Sequence, residues 1–172
     1  MFSDPTKNIG YLDLKDAMAV ADIGAGSGFY TIEVAKRVGS QGRVYAVDVQ
    51  RDILDRLKNS AATIGIRNIE IVLADAEKIG GTKLREACVD RVIASNVLFQ
   101  IEHKDDFVLE MRRILKPGGK IMVVDWASSN PAGEKYLVTK DAAVGLMNKG
   151  HFKLEQEFDA GDHHYGLVFI KE

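Results

Sequence analysis

The chain contains a loop with three closely spaced glycines, followed further along by an acidic residue, and this combination can bind a ligand. Residues 20–28 read Val-Ala-Asp-Ile-Gly-Ala-Gly-Ser-Gly, and Asp48 stands twenty residues after Gly28, at the end of the apolar run 44–47. Glycines let the backbone turn tightly and approach a ligand closely. An acidic residue at the end of the next strand can accept hydrogen bonds from the hydroxyls of a ribose. The pattern indicates a nucleotide-shaped ligand site. The alternative is a glycine turn that only packs a helix onto a sheet.

The elements that must position these residues follow from the hydrophobic pattern. Apolar runs alternate with segments of helical period, which is typical of a parallel sheet with helices on both faces. A helix beginning near Phe29 would direct its free N–H groups at the glycine loop. The sequence 116–119, Lys-Pro-Gly-Gly, should end a later helix and force a turn. The strands predicted for the first part of the chain are 19–24, 43–48, 69–74, 90–94 and 120–125.

The C-terminal part differs. A helix over 140–149 precedes strands at 152–158 and 165–170, and their link is so short that they must be antiparallel. The first of them should run parallel to the earlier strands, which brings the link to the ligand edge of the sheet. The residues in and next to this link that could lie at the entrance of the substrate pocket are Asp162, His163, His164 and Tyr165. The two histidines could form a solvated loop, supply acid–base chemistry or bind metal, and because no other residues have convincing ligand spacing, no metal is expected.

Size and composition limit the function classes. A chain of 172 residues is expected to form one domain over 1–172. Its net charge of −2 comes from residues spread along the chain, so no nucleic-acid partner is expected. The chain begins without a signal peptide and no window is apolar enough for a membrane span, so a cytoplasmic location is expected. Cys88 is the only cysteine, and a small buried thiol is its expected state.

Five stretches carry a resemblance to a known family. They are 22–28 (Asp-Ile-Gly-Ala-Gly-Ser-Gly), 47–48 (Val-Asp), 73–76 (Leu-Ala-Asp-Ala), 90–98 (Asp-Arg-Val-Ile-Ala-Ser-Asn-Val-Leu) and 111–120 (Met-Arg-Arg-Ile-Leu-Lys-Pro-Gly-Gly-Lys). In this order they resemble the motifs of the class I S-adenosylmethionine-dependent methyltransferases, particularly the small-molecule branch of ubiquinone and menaquinone biosynthesis (methyltransferase type 11 domain). The resemblance implies an α/β fold, a Rossmann-like three-layer sandwich whose seven-stranded, mostly parallel sheet ends in an antiparallel C-terminal strand.

The resemblance also implies roles for individual residues. Asp48 would bind the ribose hydroxyls, Asp75 the adenine amino group and the Ala76 N–H a ring nitrogen. Asp22 would lie near the ligand's ammonium, or would accept hydrogen bonds from loop N–H groups; Asp75 could instead cap the segment that follows it. Asn96 would meet the methionine end or the acceptor. The remaining cofactor-binding residues are Gly24, Ala25, Gly26, Gly28 and Val49.

The function implied is methyl transfer from S-adenosylmethionine to a small-molecule acceptor. An oxygen or carbon acceptor would need a base, for which His163 and His164 are the catalytic candidates. Trp126 could form the floor of the substrate pocket or simply pack in the core. Only some eighteen residues precede the first strand, so the lid is short or comes from another chain, as in a homodimer. Two rival functions are a non-catalytic binding subunit and a nicotinamide-dependent oxidoreductase, which predicts a Gly-x-Gly-x-x-Gly loop and an all-parallel sheet.

Overall fold

The protein forms a seven-stranded sheet that is parallel except for its last strand. The computed structural model describes residues 3–127, 133 and 136–172. The sheet order is β3-β2-β1-β4-β5-β7-β6, and β7 runs antiparallel to both of its neighbours, β5 and β6. The strands are β1 Ala19–Ile23, β2 Arg43–Asp48, β3 Ile69–Leu73, β4 Val89–Ser95, β5 Leu115–Trp126, β6 Phe152–Asp159 and β7 His164–Lys171.

Helices cover both faces of this sheet because the longer ones have an apolar stripe at helical spacing. In α3 the buried stripe is Leu54, Leu57 and Ala61, and Asp52 lies in the first turn, where the helix dipole favours an acid. Phe107, Met111 and Ile114 form the corresponding stripe of α4. The helices are α1 Pro5–Asn8, α2 Phe29–Val38, α3 Arg51–Thr63, α4 Lys104–Ile114 and α5 Lys140–Lys149, with a 3₁₀ turn at Ile9–Leu12.

Successive side chains of each strand point to opposite faces of the sheet, so the hydrophobic core has two layers. Ile121 and Val123 of β5 pack on one side of the sheet, where Phe107 of α4 also lies. Their neighbours Met122 and Val124 pack on the other side, with Val34 of α2. The three-layer α/β sandwich predicted from the sequence is therefore confirmed.

The boundary between α4 and β5 differs from the prediction. The sequence 116–119 is predicted to end the helix, but the helix already ends at Ile114 and the chain continues directly into β5, where Leu115 pairs with Val89. The ladder shifts its register between Val89 and Arg91, and Gly118 adopts a left-handed conformation with φ 70°. The sequence 116–119 therefore forms an irregular start to the strand instead of a separate turn, because glycine takes up the distortion within the ladder.

The N-terminal segment is fastened to the sheet by a buried arginine. Arg91 of β4 donates from Nε to the Leu12 carbonyl oxygen at 2.8 Å, and from Nη2 to that of Asp13 at 3.3 Å. These carbonyls belong to the last residue of the 3₁₀ turn and to the residue after it, so the arginine orders the approach of the chain to β1. In the part of the chain that the structure describes, no helix is long and apolar enough to cross a membrane.

Candidate functional site

A cavity of about 950 Å³ opens at the carboxyl ends of the central strands. Ligands of open α/β sheets bind at this edge, where the strand order changes direction. The cavity brings together ten of the twelve residues predicted to act at the site; Gly28 and His163 are not among its lining residues. The ten are Asp22, Gly24, Ala25, Gly26, Asp48, Val49, Asp75, Ala76, Asn96 and His164.

The glycine loop is shaped by its own hydrogen bonds. The N–H groups of Gly24 and Ala25 donate to the Val47 carbonyl oxygen at 2.8 and 3.1 Å, and the Gly26 N–H donates to Asp48 Oδ2 at 3.0 Å. The loop glycines have positive φ, at 69°, 51° and 83° for Gly24, Gly26 and Gly28. The loop therefore has its shape before any ligand arrives, and most of its own N–H groups serve to fix that shape.

Gly28 has a packing role. It precedes the first residue of α2, and a Cβ built on it would lie 2.0 Å from Leu57 Cδ1 of α3. This close approach joins the glycine loop to α3, so the requirement for glycine at this position comes from helix packing together with the left-handed backbone.

The Asp48 carboxylate joins two loops and still has acceptor capacity. Oδ2 accepts from Gly26 and Oδ1 accepts from the Gln50 N–H at 3.0 Å. A carboxylate offers about four acceptor positions, so about two remain. The neighbouring Val49 side chain is 65% exposed and lines the same cavity. An apolar surface thus lies next to hydrogen-bond acceptors at the end of β2.

Asp22 is a buried acid that accepts a hydrogen bond from one neighbouring hydroxyl. Its Oδ2 accepts from the Thr31 hydroxyl at 2.5 Å, and only 2% of the residue is exposed. Burial raises the pKa of Asp22 to about 6; hydrogen bonds from Thr31 oppose this rise, and the negative charge of Asp48 adds to it. Two acids therefore meet at the end of β1, where a positive charge on a ligand would relieve their repulsion.

Asp75 caps the turn that follows β3. Its Oδ1 accepts from the Glu77 N–H at 2.9 Å, and its Oδ2 pairs with Lys78 Nζ at 3.1 Å. These contacts hold the pKa of Asp75 below its usual value. The capping interaction envisaged from the sequence is thus present, and the carboxylate keeps free acceptor positions at the cavity wall. The following residue, Ala76, is buried in that wall.

His164 and Asn96 meet across the ends of β7 and β4. The His164 Nε2 lies 3.0 Å from Asn96 Oδ1, and its Nδ1 lies 2.8 Å from the Asp162 carbonyl oxygen. Both of these oxygens can only accept, so Nδ1 carries a proton, and Nε2 must also carry one to donate to Asn96 in this arrangement. The ring is 5% exposed and contacts Trp126, with the ring centroids 4.2 Å apart. Trp126 therefore packs behind the histidine.

His163 occupies a different environment from its neighbour. Its side chain is exposed, and its carbonyl oxygen accepts from the Ala127 N–H at 2.6 Å. His163 lies in the turn before β7 and has a left-handed backbone with φ 63°, whereas His164 is the first residue of the strand, so only one of the two histidines lines the cavity.

The cavity wall also includes N-terminal residues that were not predicted. Ser3 and Pro5 line it together with Tyr30 of α2. The Tyr30 hydroxyl lies 2.7 Å from Ser3 Oγ and accepts from Asn8 Nδ2 at 2.9 Å. Asn8 Nδ2 also donates to the Ala160 carbonyl oxygen at 3.1 Å, and Ala160 is the first residue of the β6–β7 link. No periodicity or motif marks Ser3 or Asn8, so the sequence carries no signal for this contact.

Comparisons with known proteins agree on one family. A family model described as a methyltransferase domain matches residues 14–161. The chain is 34% identical over 119 residues to the ubiquinone/menaquinone biosynthesis C-methyltransferase UbiE of Bordetella avium, which covers 69% of this chain and 45% of that protein. The chain spans about half the length of the curated relatives it matches.

Solved structures share the whole fold. The structure of an S-adenosylmethionine-dependent methyltransferase from Aquifex aeolicus superposes with a TM-score of 0.89 at 24% identity, covering 99% of this chain and 91% of that one. The [4+2]-cyclase SpnF superposes with a TM-score of 0.83 at 14% identity, covering 97% and 79%. A methyltransferase and a cyclase thus share this architecture, so the reaction must be argued from the site.

Proposed function

Because the chain belongs to the methyltransferase-domain family, we propose that it transfers a methyl group from S-adenosylmethionine to a small-molecule acceptor. The observation that carries the proposal is the preformed glycine loop beside Asp48, whose carboxylate holds that loop and keeps acceptor positions free. The released product would be S-adenosylhomocysteine.

The residues at the cavity fit this cofactor. Asp48 would accept from the ribose hydroxyls, Asp75 from the adenine amino group, and the Ala76 N–H would meet a ring nitrogen. The ammonium of the methionine portion would lie near Asp22, where positive charge offsets the repulsion between Asp22 and Asp48. Gly24, Ala25, Gly26 and Val49 would form the surrounding surface.

Two observations weigh against the nicotinamide rival. Phe29 stands where a Gly-x-Gly-x-x-Gly loop requires its last glycine, and the side chain is 73% exposed at the first position of α2. The last strand of the chain, β7, is also antiparallel to its neighbours, whereas the rival predicts an all-parallel sheet. The missing glycine at position 29 suits a ligand without a pyrophosphate.

The cofactor supplies a methyl group on a sulfonium; the carbon–sulfur bond breaks with its electron pair remaining on sulfur while a bond to the acceptor atom forms. The protein has to orient the acceptor and exclude water. The names of the relatives point to a carbon acceptor, which must give up a proton. Asp162 keeps a proton on His164 Nδ1, so Nε2 is the position at which a neutral His164 would take the acceptor's proton. Asn96 has to turn its amide away first, because Oδ1 can only accept and cannot face an unprotonated Nε2.

The experiment that tests the proposal supplies methyl-labelled S-adenosylmethionine and a cell extract, and identifies the labelled product by mass. A labelled small molecule together with S-adenosylhomocysteine is the expected result. If the protein binds the cofactor yet labels nothing in extracts from several sources, it is a binding subunit. No binding of the cofactor would overturn the proposal entirely.

A pair of variants tests the role of His164. His164→Ala should lower turnover by about 10²- to 10⁴-fold, the usual contribution of a positioned base, while cofactor affinity changes little. His163→Ala is the matched comparison and should cost far less turnover, because its side chain lies outside the cavity lining. Equal turnover losses in the two variants, measured with the identified acceptor, would remove His164 from the mechanism.

A further inference from the structure

A buried acid on α4 holds the loop that forms one wall of the cavity. Glu110 is fully buried, and its carboxylate accepts from the N–H of Gly80 at 2.6 Å and of Thr82 at 3.1 Å. The Thr82 hydroxyl donates to the same carboxylate. Three donors from the loop therefore converge on one helix side chain.

Arg113 completes the anchor one turn along the helix. Its Nε and Nη2 donate to the Glu110 oxygens at 2.7 and 2.8 Å, and Nη2 also donates to the Leu84 carbonyl oxygen at 2.8 Å. Burial raises the pKa of Glu110, but the donors from Arg113, Thr82 and Gly80 outweigh burial and hold the pKa at about 2. The anchor is a charged, fully hydrogen-bonded pair, so its geometry is strongly specified.

The anchor is connected to the cavity through backbone contact. A Cβ built on Gly81 would lie 2.0 Å from the Asp75 carbonyl oxygen, and the Gly81 N–H donates to the Lys78 carbonyl oxygen at 2.8 Å. The chain thus folds back from Gly81 onto the residue whose side chain enters the cavity. Displacing residues 80–82 would displace Asp75 and Ala76.

The same wall is tied to the start of α4 as well. Glu77 Oε2 accepts from the N–H groups of Glu102 and His103 at 2.9 and 3.0 Å. This contact holds Glu77 in the middle of the wall, and the Glu110 anchor holds Gly80 and Thr82 at its end. Together the two contacts hold residues 75–82 against one helix.

We propose that Glu110 is a positioning residue that sets the place of Asp75 and Ala76, and through them the selectivity of the cavity for adenine over other bases. This inference rests on the proposed function, because it takes the ligand to be an adenosyl compound. Glu110 acts from behind the wall and does not touch the ligand.

The test measures a ratio of affinities. S-adenosylhomocysteine and its inosine counterpart, in which a carbonyl replaces the 6-amino group, are titrated calorimetrically against wild type, Glu110→Gln and Asp75→Asn. Wild type should favour the adenosyl ligand about tenfold or more, the scale of a hydrogen bond to a charged group. Glu110→Gln should lower this ratio at least about threefold, toward the Asp75→Asn value.

Two further variants separate positioning from folding stability. Thr82→Val keeps the shape of the side chain and removes one donor to Glu110, so it should lower the ratio even if Glu110→Gln does not fold. Val168→Ala in β7 makes a cavity in the core on the other side of the sheet, which should lower the melting temperature and leave the ratio unchanged.

The outcomes are distinct. A wild-type ratio in Glu110→Gln and Thr82→Val, with a reduced ratio in Asp75→Asn, would overturn the positioning role, and so would equal binding of both ligands by wild type. A drop in the Val168→Ala ratio would show that selectivity follows stability alone and would also overturn it. If wild type binds neither ligand, it is the proposed function that fails.

Discussion

Asp48 both holds the loops of the site in place and offers hydrogen-bond acceptors to a ligand. Its two oxygens hold Gly26 and Gln50, and the remaining acceptor positions face the cavity. Asp48→Ala should therefore weaken S-adenosylmethionine binding by about 1.5–3 kcal/mol, the scale of hydrogen bonds to a charged group. Isothermal calorimetry measures this directly. Asp55→Ala, which removes an exposed acid from α3, is the control and should bind as wild type does. Unchanged affinity in Asp48→Ala would refute the ribose assignment.

Residues of the site differ in how far they could be predicted. Asp22, Asp48 and Asp75 follow apolar runs, so their place at the sheet edge could be read from the pattern. The roles of Thr31 and Glu110 could not be predicted. A polar residue within a helix looks like an ordinary surface residue in the sequence, and only the folded structure shows which neighbouring element it contacts. Which of His163 and His164 lines the cavity likewise depends on the residue at which β7 begins. A shift of one residue in that start would exchange the two side chains.

At the scale of elements, the turn into α2 is held by packing against α3. Gly28 has φ 83°, and a side chain there would collide with Leu57. Gly28→Ala should lower the free energy of unfolding by about 2–4 kcal/mol, combining left-handed strain with overpacking. Urea denaturation monitored by circular dichroism gives the value.

A second glycine provides the matched control. Gly145 lies within α5, and an added Cβ would meet open space. Gly145→Ala should raise the free energy of unfolding by about 0.5–1 kcal/mol, because alanine is the better helix former. A loss at Gly28 no larger than about 1 kcal/mol would mean that Leu57 moves aside easily, contrary to the tight packing described.

The element boundaries were predictable where an apolar run is bounded by charged residues. β2 has the bounds 43–48 expected from the sequence, whereas β5 begins five residues before the expected 120. The difference arises because Leu115 pairs with Val89 across an irregular ladder. Backbone pairing with a distant strand leaves no trace in local composition, so this extension could not be foreseen.

For the whole molecule, buried acids make stability depend on pH. Asp125 is fully buried, its Oδ2 has no hydrogen-bond partner among the described residues, and burial raises its pKa from 3.8 to about 6. Between these values the folded state holds a proton that the unfolded chain does not. Its contribution to stability is therefore full below about pH 4 and is lost as the pH rises through 6.

Asp125→Asn removes this contribution and isolates it. The free energy of unfolding of the variant relative to wild type should rise by on the order of 3 kcal/mol between pH 4 and pH 7. Urea titrations at several pH values measure the difference, and Asp55→Asn, at an exposed position, should show almost none. A pH-independent difference for Asp125→Asn would show that Asp125 ionises in the folded protein as it does in the unfolded chain.

The position of β7 determines how the C-terminal strands are attached. Because β7 lies between β5 and β6, β6 is connected to the rest of the sheet only through β7. A folding intermediate containing β1 to β5 alone would present the Leu115–Trp126 edge to solvent, with its N–H and carbonyl groups unpaired. Such an edge templates intermolecular association. The antiparallel strand that completes the sheet is thus also the element that protects the folding chain from aggregation.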